Sequence, residues 1–307
     1  MSECPKLSIV VPCYNEALCV ERFVQTVVET GLNNFEIVFV DDGSKDETLP
    51  IIRRLSVEEA FIHYVSFSRN FGKEAALLAG LQKATGDYVV TMDVDLQDPP
   101  SLLPEMLNLI EAEGFDCVAT RRTSREGEPP IRSWFARRFY RLMRMLSAID
   151  LVDGARDYRM MTRQVVDAIL AMPERNRFTK GIYAWVGFKT KWLEFPNVER
   201  IDGETKWSFW KLFLYSLEGI MAFSTAPLQV ASVLGIGCCG VAFLVLLFLF
   251  IRALCYGDPV AGWPSMACLI VFFGGLQLFV VGILGAYLAK TYLEAKKRPM
   301  YLVKEEK

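Results

Sequence analysis

Short unbroken apolar runs alternate, along the first third of the chain, with stretches whose apolar positions recur every three or four residues. Leu7-Ser-Ile-Val-Val11 and Glu36-Ile-Val-Phe-Val40 are runs of the first kind, ended by Pro12 and by Asp41-Asp42-Gly43-Ser44. They predict strands buried on both faces of a parallel sheet. Ala17 to Thr30 and Thr48 to Leu55 carry the helical spacing, with Ser44 or Asp46 available to cap the second helix. Tyr64–Phe67, Glu74–Ala84 and Tyr88–Met92 continue as strand, helix, strand. The pattern predicts an α/β domain with a mainly parallel sheet, whose ligands belong at the carboxyl ends of the strands.

The last third reads differently. Gly219–Ile251 and Pro259–Ala289 contain no charged residue, and each exceeds the roughly 20 apolar residues that cross a bilayer core. Two membrane spans are expected, and neither has the N-terminal position of a signal peptide. Lys290, Lys296, Lys297, Arg298, Lys304 and Lys307 follow the second run, so the positive-inside rule puts that tail in the cytoplasm, and an even number of spans puts the N-terminal region there too. The expected protein is multi-pass in the inner (plasma) membrane, with both termini cytoplasmic. Its expected parts are a soluble domain over 1–206, a juxtamembrane helix over 207–226, a two-helix hairpin over 227–290 and a tail over 291–307. Ile131–Ile149 interleaves Arg132, Arg137, Arg138, Arg141 and Arg144 with Trp134, Phe135, Phe139 and Tyr140, a pattern that suits an anionic membrane surface.

Composition narrows the chemistry. In 307 residues, 34 Lys and Arg against 36 Asp and Glu leave a net charge of -2, so there is no global basic field to draw the protein onto nucleic acid. The one histidine, His63, lies in an apolar run, where a partly exposed strand residue is expected. Neither a His-based triad nor a zinc site is therefore expected. Eight cysteines without a Cys-x-x-Cys pair read as small buried hydrophobes. Gly235-Ile-Gly-Cys-Cys-Gly240 matches a dinucleotide fingerprint but sits inside an uncharged run and follows no strand, so it reads as helix packing.

Polar residues gather at the predicted strand ends: Tyr14, Asn15 and Glu16, then Asp41 and Asp42, then Arg69 to Lys73, then Asp93 and Asp95. In an extended segment the two carboxylates of Asp93-Val94-Asp95 point to one face. A hard divalent ion shared with substrate phosphates relieves their repulsion, and Gln97 offers a further oxygen. Asp41 and Asp42 suit either a turn with a helix cap or hydrogen bonds to a base or ribose. Arg69-Asn-Phe-Gly-Lys-Glu74 suits either a diphosphate or an ordinary turn.

Taken together, Val11-Pro-Cys-Tyr-Asn-Glu16, Val40-Asp-Asp-Gly-Ser44, Ser68-Arg-Asn-Phe-Gly-Lys73 and Asp93-Val-Asp-Leu-Gln-Asp-Pro99 resemble the inverting family 2 glycosyltransferases of GT-A fold. Met172–Asn176, Lys180–Ile182, Trp185–Gly187, Glu199-Arg200, Gly203–Lys206 and Lys297-Arg-Pro299 resemble, more narrowly, the polyprenyl-phosphate hexose transferases, such as the bactoprenol glucosyltransferases and, more distantly, dolichol-phosphate mannose synthase. The resemblance implies transfer of a hexose from a UDP-sugar, most simply glucose from UDP-glucose, to undecaprenyl phosphate or a similar lipid, serving cell-envelope glycans. It implies Pro12, Tyr14, Glu16, Asp41, Lys73 and Asp93 around the nucleotide sugar, and Mg2+ or Mn2+ on Asp93, Asp95 and Gln97. It implies Asp95 and Asp157 at the reacting centre, with Arg121, Arg132, Arg200 and Lys206 around the acceptor phosphate; Arg137 or Arg138 stands as an alternative to Arg132. Another sugar, such as N-acetylglucosamine, mannose or a modified pentose, stays open at this point, as do a non-catalytic sugar-nucleotide binder and a homo-oligomer.

Overall fold

A computed structural model describes residues 6–122, 152, 154–172, 174–195, 226–256 and 262–307. The elements are β1 (Leu7–Cys13), α1 (Ala17–Glu29), β2 (Phe35–Asp41), α2 (Thr48–Glu58), β3 (Ile62–Phe67), α3 (Lys73–Lys83) and β4 (Tyr88–Thr91). They continue with a 3₁₀ turn (Pro100–Leu102), α4 (Leu103–Glu113), β5 (Cys117–Arg122) and β6 (Ala155–Thr162). After these come α5 (Arg163–Leu170), α6 (Thr179–Trp185), β7 (Thr190–Phe195), α7 (Ala226–Tyr256), α8 (Trp263–Ala295) and β8 (Val303–Glu306). One sheet holds all eight strands in the order β7-β5-β6-β4-β1-β2-β3-β8. β1 to β4 are parallel to one another, β5 is parallel to β7, and β6 runs antiparallel between β4 and β5. This is the expected mainly parallel α/β domain.

The apolar runs become the centre of the sheet because both faces are covered: Ile9, Val10, Val11, Ile37, Phe39 and Val40 are all fully buried. Pro12 does not end β1 as the sequence suggested. The backbone of Val10 faces β4, where its carbonyl accepts from Met92 N, so Pro12, two residues on, faces the same way. β4 has already ended at Thr91, opposite Val10. The missing N–H of Pro12 therefore costs no ladder bond, and β1 continues to Cys13.

At the opposite edge of the sheet Glu36 is buried beside Ser8, whose hydroxyl donates to it at 2.5 Å, and Lys6, whose ammonium lies 2.7 Å away. Thr85 N donates at 2.8 Å. Burial pushes the Glu36 carboxyl up, but Lys6, Ser8 and Thr85 together pull it down from 4.5 to about 2. A carboxyl depressed in the fold stabilises above its ordinary value and loses that contribution as pH falls from about 4.5 toward 2; the depression corresponds to roughly 3 kcal/mol at neutral pH. Glu36→Gln is expected to cost roughly 2–3 kcal/mol at pH 7. In unfolding measured on the full chain in detergent, the difference from wild type should vanish near pH 2. His63 Nε2 lies 3.7 Å from Glu36 and is partly exposed, as expected.

α7 and α8 contain segments long and apolar enough to cross a membrane, Pro227–Val245 and Phe272–Ala295, and almost none of either is buried. α8 runs past the expected hairpin end at 290 and stops at Ala295. The tail beyond it is structured. β8 pairs antiparallel with β3, Tyr301 stacks on Phe67 at 4.8 Å, Arg53 meets Glu305 at 2.5 Å, and Lys83 meets Glu306 at 3.1 Å. The 131–149 stretch, Arg132, Arg200, Lys206, the 206/207 boundary and all but the last residue of the expected juxtamembrane helix lie outside the described residues.

Candidate active site

Three loops at the carboxyl edge of the parallel strands are tied together by short side chains. Asn15, in the left-handed region at φ 54°, accepts from Lys45 N through its side chain at 2.9 Å, while its own N–H donates to Ser44 Oγ at 3.0 Å. Glu16 N donates to Thr48 Oγ1 at 2.8 Å. Asp46 accepts from Thr48 N at 3.1 Å and from Ala17 N at 3.3 Å, so one carboxylate serves the first turns of both α2 and α1. Neither expected residue is the N-cap, which is Glu47 without a side-chain cap bond; Asp46 supports the first helical residue from one position further out, and Ser44 is engaged with Asn15.

Asp41 and Asp42 serve the fold. Asp41 is 1% exposed and accepts from Ser44 N at 3.0 Å and Ser66 Oγ at 2.8 Å. Asp42 accepts from Phe71 N at 2.6 Å and Gly72 N at 2.9 Å, and burial raises its pKa against those two bonds. Both oxygens of Asp42 thus hold the loop that delivers Lys73. Gly43 sits between them at φ +69°, and a Cβ there would stand 2.5 Å from the Arg69 carbonyl carbon. Gly43→Ala is expected to push these loops apart and weaken UDP binding at least tenfold, because both the strain and the clash are against backbone. Calorimetric titration with UDP checks it, with circular dichroism to show that the domain still folds.

The charged cluster lies where β4 ends and β6 begins. Lys73 Nζ is 2.6 Å from Asp93 Oδ1 and 2.8 Å from Asp157 Oδ2. Lys180 Nζ, on α6, stands 4.0 Å from the other Asp157 oxygen and donates to Ala155 O at 3.0 Å. Arg156 donates from Nε to Asp98 at 2.9 Å and places Nη2 at 3.8 Å from Asp93. Burial would raise the Asp157 pKa, but Lys73 and then Lys180 hold it well below the usual carboxylate range. Burial would lower that of Lys73, and Asp157 and Asp93 hold it up. Asp98 is fully buried, which pushes its carboxyl up to about 6 against the pull of Arg156.

The Asp-x-Asp geometry differs from expectation. β4 ends at Thr91, and residues 94–98 form a tight turn in which Leu96 takes φ 57°. The Asp93 and Asp95 carboxylates are therefore placed by a turn, not by strand alternation; Asp95 Oδ1 accepts from Gln97 N at 3.1 Å. No group of three or more His, Cys, Asp or Glu able to hold a metal occurs among the described residues. Two carboxylates and an amide do not make a closed protein cage, but they are the donor set of an Mg2+-type site completed by substrate phosphates and water. In that restricted sense the residues fit a divalent ion.

Residues 8–170 match the family described as Glycosyl transferase family 2. The chain belongs to this family. The transferase is 43% identical over 305 residues to the "Prophage bactoprenol glucosyl transferase homolog" of Escherichia coli K12, covering 98% of this chain and 99% of that one. It is 42% identical over 305 residues to the "Bactoprenol glucosyl transferase" of Shigella phage SfX, covering 98% and 100%. Among solved structures, a mannosyltransferase from Pyrobaculum calidifontis is similar at a TM-score of 0.46 with 16% identity, over 94% of this chain and 88% of that one.

Of the residues the sequence pointed to, the transferase brings Lys73, Asp93 and Asp157 into direct contact. The fold places Pro12, Tyr14, Glu16, Asp41, Asp95 and Gln97 at the same edge of the sheet. Arg121, the penultimate residue of β5, lies at that edge and pairs with Glu194 of β7. Sequence reasoning assigned no role to Asp98, Arg156, Lys180, Glu74 or Glu294. Glu74 accepts from Thr179 N at 3.0 Å and so anchors the start of α6 beside Lys73. Glu294, in the last turn of α8, accepts from Arg175 N at 2.8 Å and Asn176 N at 3.1 Å. The end of the second apolar helix thereby holds the loop that leads into α6 and Lys180.

Proposed function

We propose that the protein transfers glucose from UDP-glucose to undecaprenyl phosphate, or a similar polyprenyl phosphate, at the cytoplasmic face of the inner membrane, supplying lipid-linked sugar for cell-envelope glycans. The observation that carries this reading is the full-length likeness to transferases named for bactoprenol, which spans the apolar helices as well as the nucleotide half. The tail supports the orientation: β8 follows α8 and pairs with β3, so both ends of a spanning hairpin return to the side of the α/β domain, and the tail is rich in Lys and Arg.

In this reading Pro12, Tyr14 and Glu16 flank the nucleotide, and Asp41 keeps acceptor capacity for it, since each of its oxygens receives one hydrogen bond and a carboxylate has about four lone-pair sites. Asp93, Asp95 and Gln97 hold Mg2+ or Mn2+ together with the donor's phosphates. When bound, the ion supplies neutralisation of the charge that develops on the departing UDP. Lys73 adds a fixed positive charge at the same place, between Asp93 and Asp157. A phosphate monoester is already anionic at neutral pH, so the acceptor hardly needs a base and the absence of a catalytic histidine is no obstacle. Asp157, kept ionised by Lys73 and Lys180, orients the sugar or the incoming phosphate. Arg121, and Arg132, Arg200 and Lys206, are assigned to the acceptor phosphate. One in-line displacement then inverts the anomeric centre.

A radiolabelled assay offering UDP-glucose, UDP-N-acetylglucosamine and GDP-mannose with undecaprenyl phosphate in liposomes tests the reading. Butanol-extractable label from UDP-glucose alone is the expected result. Label from another donor would reassign the sugar, and label from none would overturn the transfer.

A further inference from the structure

The second apolar helix ends against the scaffold of the candidate active site. Every residue from Thr291 to Pro299 is exposed except Glu294, which turns its carboxylate to the loop before α6. One oxygen, Oε1, accepts from Arg175 N at 2.8 Å and from Asn176 N at 3.1 Å. Both amides lie in a half-buried stretch outside every helix and strand, where a backbone N–H needs a partner. A carboxylate gives them the stronger, charge-assisted kind.

What this loop carries is Lys180. Arg177 closes the loop on itself, donating to Met172 O at 2.9 Å and Ile169 O at 3.3 Å. The chain then enters α6, whose first residue, Thr179, donates to Glu74 from its N–H at 3.0 Å and from its hydroxyl. The second residue of α6 is Lys180, 4.0 Å from one Asp157 oxygen. Glu74 follows Lys73, which lies 2.8 Å from the other. The starts of α3 and α6 are thus joined to each other, and Glu294 holds the α6 side from the end of a membrane-length helix.

Glu294 can set the place of α6 only if the end of α8 is itself fixed to the sheet. The tail does this. After α8 the chain turns, with Lys297 at φ 47°, and Tyr301 stacks on Phe67 at 4.8 Å. Ser68 N donates to Leu302 O at 3.0 Å, and β8 pairs with β3. The last turn of α8 is therefore bound to the sheet at β3 on one side and to the loop before α6 on the other.

We propose that Glu294 is a positioning residue for the transfer: by holding the Arg175–Asn176 backbone it sets how the Lys180 ammonium meets Asp157, and so ties the seat of the apolar hairpin to the alignment of the reacting groups. The carboxylate acts through the loop and touches no reacting atom. The proposal rests on the transfer reading above for the reaction that Glu294 serves.

The test is a double-mutant cycle on the full chain in nanodiscs, with Glu294→Ala, Lys180→Met and the pair. Glu294→Ala alone is expected to lower kcat roughly tenfold by letting α6 shift, with KM for undecaprenyl phosphate and UDP-glucose affinity changed less than about twofold. In the Lys180→Met background the same substitution should cost less than about twofold more, because the group it acts through is gone. A residue that merely stabilises the fold lowers the active fraction by one factor in both backgrounds, so equal losses overturn the proposal. Unchanged kcat in Glu294→Ala overturns it as well. Glu294→Gln keeps an oxygen that can accept both bonds and should retain most of the rate; a loss as large as that of alanine would show that the charge, and not the grip on the loop, is what matters. Hydrogen exchange gives a readout that needs no turnover. The amides of Gly181 and Ile182 donate to Phe178 O at 2.8 and 3.1 Å, and in Glu294→Ala their exchange should quicken roughly tenfold while that of β1 and β2 is unchanged. If wild type forms no glucosyl lipid, the transfer reading falls by itself, and exchange decides the rest, as it does where Lys180→Met leaves no rate to divide. Quickening confined to α6 and its loop keeps Glu294 as the holder of Lys180, and unchanged exchange removes it.

Discussion

Lys73→Met is expected to lower turnover by roughly 10²–10³-fold while tightening the binding of Mn2+ measured without nucleotide. The two effects have one cause. Lys73 Nζ sits 2.6 Å from Asp93 and 2.8 Å from Asp157, so it engages one of the carboxylates that a divalent ion would use. Among the described residues, removing it leaves Asp93 with only the more distant Arg156 group at 3.8 Å, and the carboxylate pair becomes more attractive to a cation, by about tenfold for the loss of one neighbouring charge at a partly exposed site. Turnover is nevertheless expected to fall, because the lysine proposed to compete with the ion for Asp93 is also the one proposed to stabilise the leaving diphosphate. A variant that loses Mn2+ affinity along with activity would show that Lys73 supports the ion's site and does not compete for it. Methionine keeps the length and apolar stem of lysine, so the packing of α3 against β1 and β2 is not the variable.

The sequence was most legible where burial was symmetrical. β1, β2 and β4 are covered on both faces, so they appear as unbroken apolar runs, and their carboxyl ends could be named along with Glu16, Asp41 and Asp93. The antiparallel half was hidden for a physical reason: β6 carries Arg156, Asp157 and Arg159 within the strand because it lines the site, and β7 is only half-buried along most of its length. β8 reads Val-Lys-Glu-Glu, which carries no apolar signal; what recruits it is the free edge of β3, the Phe67–Tyr301 stack and the pairs to Arg53 and Lys83. The carboxylates of Asp93 and Asp95 were legible as residues and not as geometry, since the turn that places them depends on Leu96 adopting a left-handed conformation that no local pattern demands. Glu294 and Asp98 share that limitation. Glu294 is one carboxylate near the end of a long apolar helix, and Asp98 is one acid among several, until the fold supplies the N–H groups of Arg175 and Asn176 and the guanidinium of Arg156.

Asp157→Asn is expected to cost still more, roughly 10²–10⁴-fold in kcat, with UDP-glucose affinity changed less than about threefold. The asparagine keeps the side chain's shape and can still accept from Lys73, so the difference isolates the negative charge. That charge is the counterpart of two lysines, Lys73 at 2.8 Å and Lys180 at 4.0 Å, and it is held in place through its own backbone, whose carbonyl accepts from Thr91 Oγ1 at 2.5 Å. Without it both ammonium groups are released from the carboxylate that sets their separation, and the acceptor phosphate meets an unrestrained pair of cations instead of a fixed one. Binding of the phosphate then strengthens or stays level while its alignment for in-line attack is lost, so KM for the lipid should not rise as kcat falls. Asp157→Glu restores charge but moves it by one methylene, and because the cluster spans contacts of under 3 Å it should recover little of the rate. Steady-state kinetics with undecaprenyl phosphate in liposomes, beside UDP-glucose titration, separates these effects. A rise in KM with kcat preserved would move Asp157 from alignment to simple acceptor binding.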